Sequence, residues 1–218
     1  MGDAPDSTNH YGASMVAYTG PPAVTAAFPT VYDPGLGAPY GPMHRYPRAD
    51  AWLGAWVSQE NDADLIPDED GPDWPNLDPP TPPGLSNRDD YDEGVTPASI
   101  NLPHCGLTSF TYTVKVVGAW RTRYLNVWFD WNRDAAWDDT MNCGGNNTAP
   151  EWTVQNLALT LGPGVYTLTT PTFRAWKPEP KAQWMRITLS DSAFAAGSVG
   201  DGPVGGFHYG ETEDYVAP

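Results

Sequence analysis

The residues with the clearest chemistry lie in one loop. Asp130-Trp-Asn132-Arg-Asp134-Ala-Ala136-Trp-Asp138-Asp139 places side-chain oxygens at positions 1, 3, 5 and 9, with the Ala136 carbonyl at position 7. Oxygens alternating along a tight loop converge on one point. Ca2+, a hard ion that takes roughly six to eight oxygens, suits such a set. The expected ligands are Asp130, Asn132, Asp134, the Ala136 carbonyl and Asp138. The loop is not an EF-hand, because Met141 stands where the bidentate Glu belongs and a strand precedes it. Ala135 replaces the Gly such loops favour; a left-handed backbone there costs an alanine about 1 kcal/mol. The plainer reading is a polar turn whose Asx side chains bond their own backbone.

Further acids gather at turns. They are Glu60-Asn-Asp62-Ala-Asp64, then Asp68-Glu-Asp70, Asp89-Asp90-Tyr-Asp92-Glu93, and Glu211-Thr-Glu213-Asp214. A solvated face is the ordinary reading of a charge run. These runs, however, alternate with bulky residues, sit beside glycines and lack lysine neighbours. Holding them together without cations costs free energy through self-repulsion. Glu211, Glu213 and Asp214 are expected to reach the same or a neighbouring ion. Asp3 and Asp6 are expected to join Glu60, Asp62 and Asp64 in a second site, and Asp89, Asp90 and Asp92 form another candidate group.

Catalytic chemistry is less well supported. His10, His44, His104 and His208 show no metal-ligand spacing, and neither a G-x-S-x-G elbow nor a phosphate-binding glycine loop occurs. A pair of carboxylates can serve a glycosidase, but acids are so frequent here that some pair always exists. The expectation is a protein that is not an enzyme. Asn146-Asn147-Thr148 matches the glycosylation sequon, a frequent chance match.

The elements that must hold these loops read as strands. Glycines (22) and prolines (24) are too many for a helical bundle, and 10 Trp, 11 Tyr and 6 Phe are too many for a disordered chain. Residues 110–116 alternate apolar and polar, the mark of a half-buried strand. Residues 124–129 follow, with Leu125, Val127 and Phe129 on one face. Residues 157–161 and 165–170 read as a hairpin about Gly162-Pro163-Gly164, and 184–189 places Met185, Ile187 and Leu189 on one face. Tyr215-Val216 begins a last short strand. The expected fold is an all-β antiparallel sandwich, jelly-roll-like, with long Pro/Gly-rich acidic loops. If 107–117 pairs with 123–129, Cys105 approaches Cys143, and an extracellular chain would join them in a disulfide. The many tryptophans are expected to fill the core rather than form a sugar-stacking platform.

Charge divides the chain. Net charge is −16, and residues 1–104 hold 3 Lys+Arg against 16 Asp+Glu, with 17 of the 24 prolines. That acidic segment is expected to wrap on the sandwich of residues 105–218 as one compact unit. Such a charge excludes nucleic acid as the default partner. No stretch approaches the roughly 20 apolar residues of a spanning helix. No signal-peptide pattern opens the chain, so a removed leader or an excised piece is expected.

The combination resembles the GEVED domain family. The resemblance rests on Tyr124-Leu-Asn-Val-Trp-Phe-Asp-Trp-Asn132, on Trp184-Met-Arg-Ile-Thr-Leu-Ser190, and on Gly210-Glu-Thr-Glu-Asp-Tyr215, with Thr212 for Val in the name-giving motif. Gly2-Asp-Ala-Pro-Asp-Ser7, Leu53-Gly54 and residues 89–95 are similar to the segment that often precedes that domain. The resemblance implies a β-sandwich, Ca2+ binding and an extracellular, non-catalytic structural role. The expected function is a calcium-stabilised structural or adhesive domain of a bacterial surface protein, such as a filament subunit, with copies of itself, other surface proteins or polysaccharide as partners. The alternative is a carbohydrate-binding module of a secreted hydrolase.

Overall fold

The computed structural model describes residues 2, 4–6, 15–33, 35, 39–55, 57 and 94–218. Strands among them are β1 (Val16–Tyr18), β2 (Val24–Thr25), β3 (Ala51–Leu53), β4 (Leu107–Thr108), β5 (Thr111–Val116), β6 (Arg121–Phe129), β7 (Thr140–Asn142), β8 (Thr148–Pro150), β9 (Trp152–Leu161), β10 (Gly164–Thr169), β11 (Phe173–Arg174), β12 (Gln183–Ser190) and β13 (Gly210–Ala217). The described residues hold no α-helix, only short 3-10 turns at Pro47–Ala49 and Pro97–Ser99.

Two sheets form an antiparallel sandwich, ordered β13-β12-β6-β9 and β10-β5-β3. Strand alternation sets what meets between them. Leu125, Val127 and Phe129 of β6 and Met185, Ile187 and Leu189 of β12 point inward, as their spacing predicts. They meet Leu53 of β3 and Tyr112, Val114 and Val116 of β5 in one buried core. Each such side chain contributes about 1.5–3 kcal/mol of burial.

The other face of the four-stranded sheet is also covered. Trp128, Trp152 and Trp184 project from it into a second core, with Met15, Ala17, Tyr18, Ala26, Phe28 and Val31 of an N-terminal strap. Trp137, Phe194 and Phe207 close that core from loops. Hence every residue of β12 is buried, where a strand with one wet face would alternate. The core-filling reading holds for Trp128, Trp131, Trp137, Trp152 and Trp184, whereas Trp120 is 71% exposed.

Two pairings and the length of one strand differ from expectation. The turn at residues 162–164 is present, but β10 pairs with β5 and β9 with β6, so the chain crosses between sheets there. Tyr166 and Leu168 thereby lie beside Val114 and Tyr112 at the sandwich core. For the same reason β5 and β6 do not pair: placing them in opposite sheets buries the apolar stretch Leu125, Val127 and Phe129 of β6 against Tyr112, Val114 and Val116 of β5. The last strand is longer than read, with β13 matching β12 from Ser190↔Gly210 to Gln183↔Ala217. Its acids, poor strand formers in isolation, concealed it. The expected Cys105–Cys143 disulfide is formed, across 38 residues of chain, although the strand pairing used to argue for it is not.

Candidate functional site

The Asp130 loop leaves the end of β6. The Asp130 N–H donates to the Trp184 carbonyl at 3.0 Å, continuing the sheet by one bond. The loop then curls around the Asp130 carboxylate, which is fully buried. That carboxylate accepts from the Tyr18 hydroxyl at 2.8 Å, the Ala135 N–H at 2.9 Å and the Asp134 N–H at 3.1 Å. Aiming those amides inward requires a left-handed backbone, with φ +61° at Arg133 and +70° at Ala135. Ala135 therefore carries the strain anticipated from its replacing a glycine.

Glu151, between β8 and β9, enters from the other side and is also fully buried. Its two oxygens accept from the Trp131 N–H at 2.9 Å and the Asp139 N–H at 3.0 Å. The Asn132 amide donates to Asp134 at 2.9 Å and to Asp139 at 2.7 Å, bridging two acids. Carboxylate oxygens of Asp130, Asp134 and Glu151 lie within 4.8 Å of one another, as do those of Asp138, Asp139 and Glu151. Glu151 is common to both groups.

The electrostatics of this cluster are one-sided. Among the described residues, no Lys, Arg or His forms an ion pair with any of these five acids. The loop's own guanidinium, Arg133, lies over the Tyr18 ring at 3.9 Å and donates to the Ala182 carbonyl. Burial pushes Asp130 up to about 6, with the Asp134 charge adding to it and the hydrogen bonds from Tyr18 and Ala135 opposing it. Burial pushes Glu151 up to about 9; the Asp139 N–H opposes this, and the Asp130 and Asp134 charges add to it. The donor set is all oxygen, and each carboxylate offers about four lone-pair sites, more than its hydrogen bonds use. Such a set fits a hard cation such as Ca2+.

Of the expected ligands, Asp130, Asn132, Asp134 and Asp138 fall on this loop, and the Ala136 N–H donates to Asp134 at 3.0 Å. Asp139 and Glu151 complete the groups without having been singled out. Glu151 lies too far along the chain for loop spacing to find it; a lone acid between Pro150 and Trp152 was the only signal.

Glu211, Glu213 and Asp214 are not brought to this cluster. Glu211 accepts the Leu53 N–H at 2.6 Å, and Glu213 accepts the Gly94 N–H at 3.2 Å and the Tyr215 hydroxyl. Asp214 takes Arg186 at two points, 2.7 and 2.6 Å, and the Ala4 N–H at 2.9 Å. Asp6 accepts the Thr30 and Val31 N–H groups at 2.9 and 2.8 Å. Asp3, Glu60, Asp62, Asp64, Asp89, Asp90 and Asp92 lie outside the described residues.

Comparison with protein-family models matches residues 124–218 to the GEVED domain. No curated protein and no solved structure matches the chain.

Proposed function

We propose, for a chain whose residues 124–218 match the GEVED domain, a non-enzymatic role as a calcium-stabilised extracellular β-domain that is structural or adhesive. One observation carries the calcium reading. Two fully buried carboxylates, Asp130 and Glu151, face each other across an oxygen-only cluster that, among the described residues, has no cationic side chain paired to it. A buried anion without a counter-charge is costly. A divalent ion held by Asp130, Asp134 and Glu151, with Asp138 and Asp139 beside them, removes that cost and ties the β6 loop to the start of β9. The ion would supply charge compensation and cross-linking of loops.

The family match and the disulfide support an extracellular setting. The test is calorimetric titration of Ca2+ into chelator-stripped protein, paired with thermal unfolding. Heat of binding and a raised Tm are expected, both lost in Asp130→Asn and Glu151→Gln. Absence of heat and of any Tm change in the wild type would overturn the calcium reading.

A further inference from the structure

β6 runs from Arg121 at one end of the sandwich to Phe129 at the other, and Asp130 follows directly. Nine residues at about 3.3 Å each set the two ends roughly 30 Å apart. The acidic loop occupies one end. The other is built from the turn after β5, the turn before β10, the 3-10 turn at residues 47–49 and the segment entering β13. Of the seven exposed large apolar side chains among the described residues, five sit there: Tyr46, Val117, Trp120, Val165 and Val204. Exposed apolar groups scattered singly need no explanation; gathered on one surface, they mark an interaction site.

Among the described residues, arginines gather at the same end of a chain of net charge −16. Arg45 and Arg48 are exposed. Arg121 lies over the Tyr209 ring at 4.8 Å, and Tyr209 contacts Tyr46. The acid beneath them, Asp50, is buried and engaged by Arg123 at 2.7 and 2.8 Å, with Arg121 at 3.4 Å. Tyr, Trp and Arg together are the composition of a protein-binding hot spot. A glycan platform fits less well, because the Tyr46, His208 and Tyr209 rings are tilted by 48–57° instead of coplanar.

Resting on the structural reading above, we propose that this aromatic, arginine-bearing end docks the acidic loop end of a second copy, so that copies join head to tail. Charge complementarity selects the partner. The exposed Asp138, beside the proposed ion and not among its three ligands, offers an acceptor for a guanidinium group on a chain with pI near 4.3. A two-fold dimer through the patch would set one arginine-bearing surface against another. Joining opposite ends is a heterologous contact, which gives open filaments unless rotation closes a ring.

The experiment is sedimentation velocity of the full chain over a wide concentration range, in chelator and in Ca2+. Wild type is expected to grow with concentration without stopping at a dimer. Arg45→Glu combined with Trp120→Ser, both exposed positions, is expected to weaken self-association more than about tenfold. That variant keeps its acidic end, so it is expected to cap wild-type assemblies when mixed with them. Its Ca2+-induced Tm shift is expected to equal the wild type's, which separates this proposal from the calcium reading. A wild type that stays monomeric, one that stops at a two-fold dimer, or a double variant that assembles like the wild type overturns the proposal.

Discussion

Metal-free protein should lose stability as pH rises from 7 to 9. The group responsible is Glu151, whose pKa burial pushes from the ordinary 4.5 to about 9 in the folded chain. Between those values the folded state holds a proton that the unfolded state has released. Stability therefore falls with increasing pH across that window. At about 1.4 kcal/mol per pH unit, levelling off near the folded pKa, the loss from pH 7 to 9 is about 2 kcal/mol. For a chain of this size that is a Tm decrease of roughly 4–8 °C. The window avoids His44, which burial holds down to about 3. A neutral buried histidine costs stability only below its ordinary value near 6.5, so its effect is spent by pH 7. The assay is differential scanning calorimetry in chelator at pH 7, 8 and 9, repeated with excess Ca2+. Calcium binds the ionised carboxylates, so its stabilisation should grow over the same range and flatten or reverse the slope. Glu151→Gln should remove the slope in chelator. A Tm in chelator that is level or rises from pH 7 to 9 would refute the reasoning, since a buried anion with no cation beside it cannot behave so.

Arg186→Leu should cost about 3–5 kcal/mol in urea unfolding, because it leaves Asp214 buried without its counter-ion. Arg186→Lys should recover little of this, since one ammonium cannot replace the fork that also reaches the Pro29 and Gly200 carbonyls and Thr30. Replacing both Cys105 and Cys143 with Ser opens a closure 38 residues long and should cost about 4 kcal/mol in the same assay. Ala135→Gly should change stability by less than about 1 kcal/mol: relief of the left-handed backbone offsets the loss of a buried methyl. A gain or loss well beyond that would show that one term had been misjudged.

The strands of the sandwich were legible wherever one face is apolar and the period is two, as in Leu125-x-Val127-x-Phe129 and Met185-x-Ile187-x-Leu189. Which strand pairs with which was not legible. A tight turn such as Gly162-Pro163-Gly164 reads as a hairpin whether its strands stay in one sheet or part into two, and the choice is made by core packing far along the chain. The acidic loop was legible from its own spacing, down to the left-handed backbone at Ala135. Glu151 was not, because its approach depends on the β7–β8 hairpin and no local pattern encodes that. β12 alternates in sequence, with Arg186 and Thr188 opposite Met185, Ile187 and Leu189, yet the face that reads as wet is buried too. That is because both faces of its sheet are covered, one by the partner sheet and the other by the strap.

The acids of β13 hold upstream chain against the sheet. Glu211 and Glu213 alternate to one side of the strand and Asp214 to the other, and each receives a backbone N–H from upstream chain: Leu53, Gly94 and Ala4. An ionised carboxylate only accepts, so it suits an incoming segment that presents lone N–H donors without a full ladder. The strap adds its own grip. The Trp184 indole donates to the Ala17 carbonyl at 2.9 Å and the Trp184 N–H to the Tyr18 hydroxyl at 3.0 Å, while Tyr18 donates onward to Asp130. The name-giving motif thus fastens chain that lies before the matched region. Residues 124–218 alone would expose Trp128 and Trp184 on one face and the apolar side of β12 on the other. The Tyr18–Asp130 bond also places the strap against the acidic cluster, so a cation that draws the Asp130 loop together would tighten the strap along with it.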